Sequence, residues 1–267
     1  MDYFVCIENS HYHYWQIELL IESFKFHQLE DSLCIAIIDN PSQKWAYPKN
    51  LINHKNKFIT EKQEGHFCES KFKTLQYAIA NRLIGDSFAV IHPDMVLLRP
   101  INKAFDSHVV FDIELENYKI RDSLKNYINK NNPDYFLKWV PVNNILIFNN
   151  ITFNFFKDLQ KNAERLREEI ENVEKGVWGL TFCDYNGNIS IEEYPFLEQT
   201  LLDHKKNNHF IHYKHGIPPE FSKYYYKYES PIFFVPSGMK PFEALWMNNI
   251  SSSTDFVCKL LQNYELT

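Results

Sequence analysis

Glycine is scarce. The chain has 267 residues but only Gly 7, where average usage would place about nineteen. They stand at Gly65, Gly85, Gly176, Gly179, Gly187, Gly216 and Gly238, and no G-x-G-x-x-G turn or G-x-x-x-x-G-K-[ST] loop can be written through them. A phosphate ligand would have to be held in another way. Cysteine is also sparse: Cys6, Cys34, Cys68, Cys183 and Cys258 are odd in number, scattered and without a C-x-x-C pair. That excludes a disulfide framework and a zinc knuckle, and fits a reducing compartment. Positive charge falls short as well, with Lys+Arg 28 against Asp+Glu 34 and a net charge of -6. A protein that coats nucleic acid through its overall charge is excluded, although a local basic face is compatible with this balance. No apolar run approaches the length of a membrane span, and Met1-Asp2-Tyr3-Phe4 lacks a basic n-region and an apolar h-region. The sequence therefore points to a cytoplasmic protein without a membrane partner.

What is abundant is apolar and aromatic. Hydrophobic residues make 45% and aromatics 16%, with Tyr 16 and Phe 22, enough for a packed core and incompatible with disorder. Tyr3 to Ile7 reads as a strand, Trp15, Leu19, Leu20 and Phe24 recur at helical spacing, and Leu33 to Ile38 is a second apolar strand ending at Asp39-Asn40-Pro41. That β-α-β order predicts a parallel sheet. A further strand is expected around Lys57-Phe58-Ile59. Ser70 is read as the N-cap of a helix that carries Phe72, Leu75, Ile79 and Leu83 on one face, with Gly85 just past its end. Ser87 to Ile91 reads as a strand, as does Trp139 to Phe148. Phe155, Leu159, Ala163, Leu166, Ile170 and Val173 mark one amphipathic helix. With no linker or repeat, the chain is read as a single α/β domain over 1–267: a mainly parallel central sheet flanked by helices, with an irregular C-terminal lobe.

The sharpest local feature is His92-Pro93-Asp94 followed by Met95-Val96-Leu97-Leu98-Arg99-Pro100. Asp94 closes a buried strand, and ligands of open α/β sheets bind outside the carboxyl ends of the strands. A hard divalent cation bridging two phosphates needs only one or two protein carboxylates.

Ser87 to Ile101 resembles the D-x-D region of GT-A glycosyltransferases, in the form found in plant hydroxyproline O-arabinosyltransferases and peptidyl-serine galactosyltransferases. Three further segments resemble these enzymes or glycogenin-like transferases in the same order: Trp139-Val140-Pro141-Val142-Asn143-Asn144, Pro195-Phe196-Leu197-Glu198-Gln199-Thr200 and Phe210-Ile211-His212-Tyr213-Lys214-His215-Gly216. The Glu198-Gln199 segment resembles a helix start. The resemblance implies a GT-A-like fold, with 1–110 as the nucleotide-sugar-binding half and 111–267 as the acceptor half and C-terminal lobe. It implies a UDP-sugar donor and transfer of arabinose or a hexose with retention of configuration.

Site roles follow from the same resemblance. Asp94 and His212 would hold a divalent metal. An imidazole among oxygen ligands favours Mn2+ over Mg2+. Val5 and Glu8 at the first strand would cradle the base, Lys71 and Lys73 would meet the phosphates, and Asn143 and Asn144 would bind sugar hydroxyls. Glu198, with Gln199 beside it, is the candidate near the anomeric carbon, in competition with Asp184, Glu192 and Glu193. Lys214 and Gly216 would lie against the donor phosphates. The first acid of the family motif is His92 here, expected at the donor-binding position but without a carboxylate for the ribose, which leaves a metal-independent enzyme as an alternative.

The resembling plant enzymes act in the secretory pathway, so a chain read as cytoplasmic needs another hydroxyl acceptor. One such acceptor is the hydroxymethylated pyrimidine of phage DNA. Residues 204–228 carry Lys205, Lys206, Lys214, Lys223 and Lys227 among Tyr224-Tyr225-Tyr226 and Tyr228, the mixture that follows a phosphate backbone and stacks bases. A peptide or glycan acceptor, a nucleotidyltransferase and an inactive sugar-binding protein are the alternatives.

Overall fold

The computed structural model describes residues 1–9, 11–39, 56–93, 95–97, 99–112, 126, 129–130, 145–166, 173–185, 189–194, 197–198 and 210–212. Its strands are β1 (Asp2–Glu8), β2 (Leu33–Asp39), β3 (Lys57–Lys62), β4 (Ser87–Ile91), β5 (Met95–Leu97), β6 (Val109–Asp112), β7 (Leu146–Asn149), β8 (Ile191–Tyr194), β9 (Leu197–Glu198) and β10 (Phe210–His212). Its helices are α1 (His11–Phe26), α2 (Phe67–Ala80), α3 (Phe153–Leu166) and α4 (Val173–Asp184). Seven strands form one sheet in the order β3-β2-β1-β4-β7-β6-β8, and β5-β10-β9 form a second. Only β7 runs against its neighbours in the large sheet. The fold is α/β with a mainly parallel central sheet, as the β-α-β pattern implied.

Alternation along β1 and β2 sorts the core into two layers. Phe4, Cys6, Cys34, Ala36 and Ile38 join α2, α3 and α4 in one cluster built on Phe72, Leu75, Phe155, Phe156, Leu159 and Trp178. Tyr3 points the other way, edge-on to Phe24 of α1 with ring centres 4.8 Å apart. The chain thus moves from β1 to β2 across one face and returns from β3 to β4 across the other. That is what right-handed crossovers require when the direction of winding reverses. The reversal puts β1 beside β4, with their carboxyl ends at one edge.

Three local expectations are corrected. Ser70 does not cap α2: His66 does, its side chain accepting the Cys68 N–H at 3.3 Å. Ser70 lies inside the first turn, where its hydroxyl accepts the Glu64 N–H at 3.0 Å and donates to Glu64 O at 3.2 Å. Nor does Gly85 end the helix. Arg82 takes the left-handed conformation at φ 55, and the Arg82 and Leu83 amides bond back to Ile79 and Ala78 in a Schellman closure. Gly85 instead donates its N–H to Asp2 Oδ2 at 2.7 Å, tying the loop to the start of β1. Finally, the run that starts at Phe155 does not continue straight into the helix that contains Val173, because α3 and α4 lie side by side: Asn162 Nδ2 donates to Thr181 Oγ1 at 3.1 Å and the Phe155 and Phe182 rings are 5.1 Å apart. Trp139 to Asn144, the start of the expected strand, lies outside the described residues, and its end is β7.

Candidate functional site

The edge where the winding reverses is where an open α/β sheet binds its ligand. Here β1 delivers Glu8 and Asn9, β2 delivers Asp39, and β4 delivers His92 and Pro93. Asn9 is buried, donates its backbone N–H to Ile38 O at 2.9 Å, and donates its side-chain Nδ2 to Asp39 Oδ1. Gln63, just beyond β3, donates its N–H to Asp39 O at 2.8 Å. The ends of β1, β2 and β3 are thereby laced together. In the sequence Asp39 reads as a turn residue, and the signal for Asn9 is a polar side chain directly after a buried apolar run.

The second sheet adjoins this edge. β5 leaves directly after the His92-Pro93-Asp94 segment, and β10 pairs with it antiparallel, with His212 opposite Met95, Ile211 opposite Val96 and Phe210 opposite Leu97. β9 pairs parallel on the far side of β10, with Glu198 beside Ile211 and Leu197 beside Phe210. Backbone pairing therefore joins three segments that are more than a hundred residues apart at the extremes. Glu198 lies in a strand, not at the helix start that its motif suggested.

The other expected residues divide. Val5 is mid-strand between Ile35 and Ile91 and wholly buried, so its place is in the core. Glu8 is half-buried at the end of β1. Lys71 is 3% exposed, one turn into α2, whereas Lys73 points outward and its ammonium stands 2.7 Å from Glu64 Oε2. That contact raises the Lys73 pKa and holds the Glu64 carboxyl below its ordinary value, the hydrogen bond acting first and the charge with it. Of the competitors for the acid role, Asp184 faces Arg165 at 3.5 Å and Glu192 faces Lys103 at 3.2 Å. Asp94, Asn143, Asn144, Gln199, Lys214 and Gly216 lie outside the described residues, as do the side chains of Glu193, Glu198 and His212. Residues 213–267, with most of the basic-aromatic segment, also lie outside them. Among the described residues no three of His, Cys, Asp or Glu form a ready-made metal cage. In the same residues no helix is long and apolar enough to cross a membrane.

Several solved structures that this chain resembles are glycosyltransferases. One is the galactosyltransferase LgtC in complex with donor and acceptor sugar analogues, at 10% identity and TM-score 0.49, covering 97% of this chain and 96% of that one. Another is the apo form of GlyE from Streptococcus pneumoniae TIGR4, at 13% identity and TM-score 0.49, covering 100% of this chain and 64% of that one. A third is a glycosyltransferase involved in glycosylation of the major capsid of PBCV-1, at 10% identity and TM-score 0.46, covering 79% of this chain and 92% of that one. No family model matches the chain, and no curated protein matches its sequence.

Proposed function

We propose that this chain is a GT-A-like glycosyltransferase that takes a UDP-sugar and transfers its sugar, arabinose or a hexose, to a hydroxyl acceptor with retention of configuration. The supporting observation is the pairing of β10 with β5. His212 stands opposite Met95, the residue after Asp94, beside the sheet edge where a ligand belongs. A carboxylate oxygen and an imidazole nitrogen, completed by phosphate oxygens, are a donor set that suits Mn2+ and tolerates Mg2+. Asp94 and His212 would hold such a cation, and the chemistry it would supply is charge neutralisation at the leaving diphosphate. The remaining roles belong to the chain itself. Glu8 accepts from the nucleoside, Lys71 adds positive charge beside the phosphates, and Asn143 and Asn144 orient the sugar. Glu198, with Gln199 beside it in the sequence, is assigned to the anomeric carbon, and Lys214 and Gly216 are assigned to the donor diphosphate.

The test is UDP release from a panel of UDP-sugars with and without Mn2+. Turnover should require the metal and fall roughly hundredfold or more in Asp94→Ala. Failure to release UDP from any donor would overturn the proposal, and release of pyrophosphate from a nucleoside triphosphate would replace it with a nucleotidyltransferase. For the acceptor we infer a hydroxymethylated pyrimidine in DNA, on the strength of the lysine-tyrosine segment 204–228. Nucleoside mass spectrometry after incubation with hydroxymethylcytosine DNA should show a pentose or hexose increment. An unshifted nucleoside would move the acceptor to a peptide or glycan.

A further inference from the structure

Among the described residues β5 is an outer strand of the second sheet, with β10 on one side only. Its last residue, Leu97, is fully buried, so the backbone groups on its open side need partners from outside the sheet. Helix α1 and the turn after it supply both. Ser23 Oγ accepts the Leu97 N–H at 3.0 Å and donates its own proton to Leu20 O at 2.6 Å. Four residues on, His27 Nε2 stands 3.2 Å from Leu97 O. A carbonyl oxygen only accepts, so Nε2 is the protonated nitrogen of that imidazole. Two side chains at helical spacing thus hold the N–H and C=O of one residue, as a neighbouring strand would.

This arrangement also determines which groups β5 turns toward β10. With the Leu97 N–H and C=O directed at α1, alternation leaves those of Val96 to face Ile211. Met95 and His212 then form a non-hydrogen-bonded pair, the kind in which Cα atoms approach most closely, at about 4.5 Å. A strand of three residues has few ladder bonds of its own. A slip of one residue would turn Met95, and the chain leading into it, to the other face.

We propose that Ser23 and His27 are positioning residues: by gripping Leu97 they set the register of β5 on β10, and with it the juxtaposition of the His92–Met95 segment with His212. The proposal rests on the functional reading above for its consequence in turnover, but its structural half can be measured without any substrate.

Three variants test it: Ser23→Ala, His27→Leu, and His27→Gln, which keeps an N–H donor at similar reach. In the ligand-free protein, amide hydrogen exchange at Leu97 and along Phe210–His212 should accelerate tenfold or more in Ser23→Ala and His27→Leu, with β1 and β2 unchanged. In turnover, the Mn2+ concentration for half-saturation should rise at least fivefold while kcat at saturating metal stays within twofold. His27→Gln should stay close to the parent in both. Unchanged exchange in β10 would overturn the proposal. So would a uniform acceleration across both sheets that merely tracks a lower melting temperature. If the parent protein releases no UDP, the functional reading fails while the exchange comparison still decides the grip on Leu97. If Ser23→Ala does not fold, the two variants at the half-buried His27 carry the decision.

Discussion

Arg82 and Gln28 sit at φ 55 and 56, in the left-handed region where glycine is the usual occupant. Both close a helix by the same pair of bonds: Leu83 to Ala78 and Arg82 to Ile79, then Leu29 to Phe24 and Gln28 to Lys25. The shortage of glycine therefore has a local cost, because a side chain is strained in that region by about 1 kcal/mol. Arg82 is exposed, so Arg82→Gly should raise stability by about 0.5 kcal/mol after the greater freedom of the unfolded chain is counted. A shift of the urea midpoint to higher concentration with unchanged slope would verify it. Cys34 and Tyr3 show the opposite effect, that of full burial. Burial pushes the Cys34 thiol from 9.0 to about 12, against a lowering by Lys57 and with a small rise from Asp2. Burial likewise raises Tyr3 from 10.0 to about 12, against a hydrogen bond with the Ile101 backbone. Above pH 9 the unfolded chain releases the Cys34 proton while the folded chain keeps it, and above pH 10 Tyr3 follows. The unfolded state then binds fewer protons, so stability falls as pH rises, by up to about 1.4 kcal/mol per unit for each group. Urea unfolding at pH 8 and pH 11 should show the loss, and Cys34→Ala should remove its share. Iodoacetamide at pH 8 should leave Cys34 unmodified in the folded protein.

At the scale of elements, the face of the sheet opposite α1 is held by rings. Phe148 of β7 touches Phe88, Phe155, Phe156 and Trp178, with ring centres 5.4, 5.8, 5.3 and 5.7 Å away. It joins β4, α3 and α4 through one fully buried side chain. Phe148→Ala should cost about 3–5 kcal/mol, since the surrounding rings cannot all collapse into the space. Phe148→Leu should cost less, and calorimetry of the pair separates lost contact from cavity. Elements also show where sequence patterns were readable. The strands β1, β2 and β4 and the helix α2 were visible as apolar runs and helical periodicity, because burial on two sides or on one stripe writes itself into the chain. The α2 cap was not, because histidine is not among the usual cap residues and only the path of the preceding loop brings the His66 ring to the Cys68 N–H. The break between α3 and α4 was hidden for a related reason. Val173 continues the helical spacing of Phe155 to Leu166, and periodicity alone does not mark where a helix turns back.

At the scale of the whole molecule, the order β3-β2-β1-β4 puts Glu8, Asn9, Asp39 and His92 along one edge. The second sheet brings Glu198 and His212 to the segment that follows β4. If that edge binds a UDP-sugar with Mn2+, the ligands together should raise the melting temperature in a concentration-dependent way, because they bind only the folded state. The shift should vanish in Asp94→Ala and persist in Lys73→Ala, whose ammonium is engaged with Glu64 at 2.7 Å. A shift lost equally in both variants would argue against the division made between Lys71 and Lys73.

By itself the sequence determined the α/β class, the parallel start of the sheet and the short stretch around Asp94 where chemistry was expected. Each of these is a matter of local pattern: runs of apolar residues, turns, and a carboxylate at the end of a strand. The exclusion of glycine-rich phosphate loops was likewise complete in the composition. Only the tertiary structure decided that Val5 belongs to the core, that Lys73 is paired on the surface while Lys71 is buried, and that Ser23 and His27 hold Leu97. Those outcomes depend on contacts between residues far apart in the chain, and spacing along the sequence carries no record of which distant backbone group a side chain will meet.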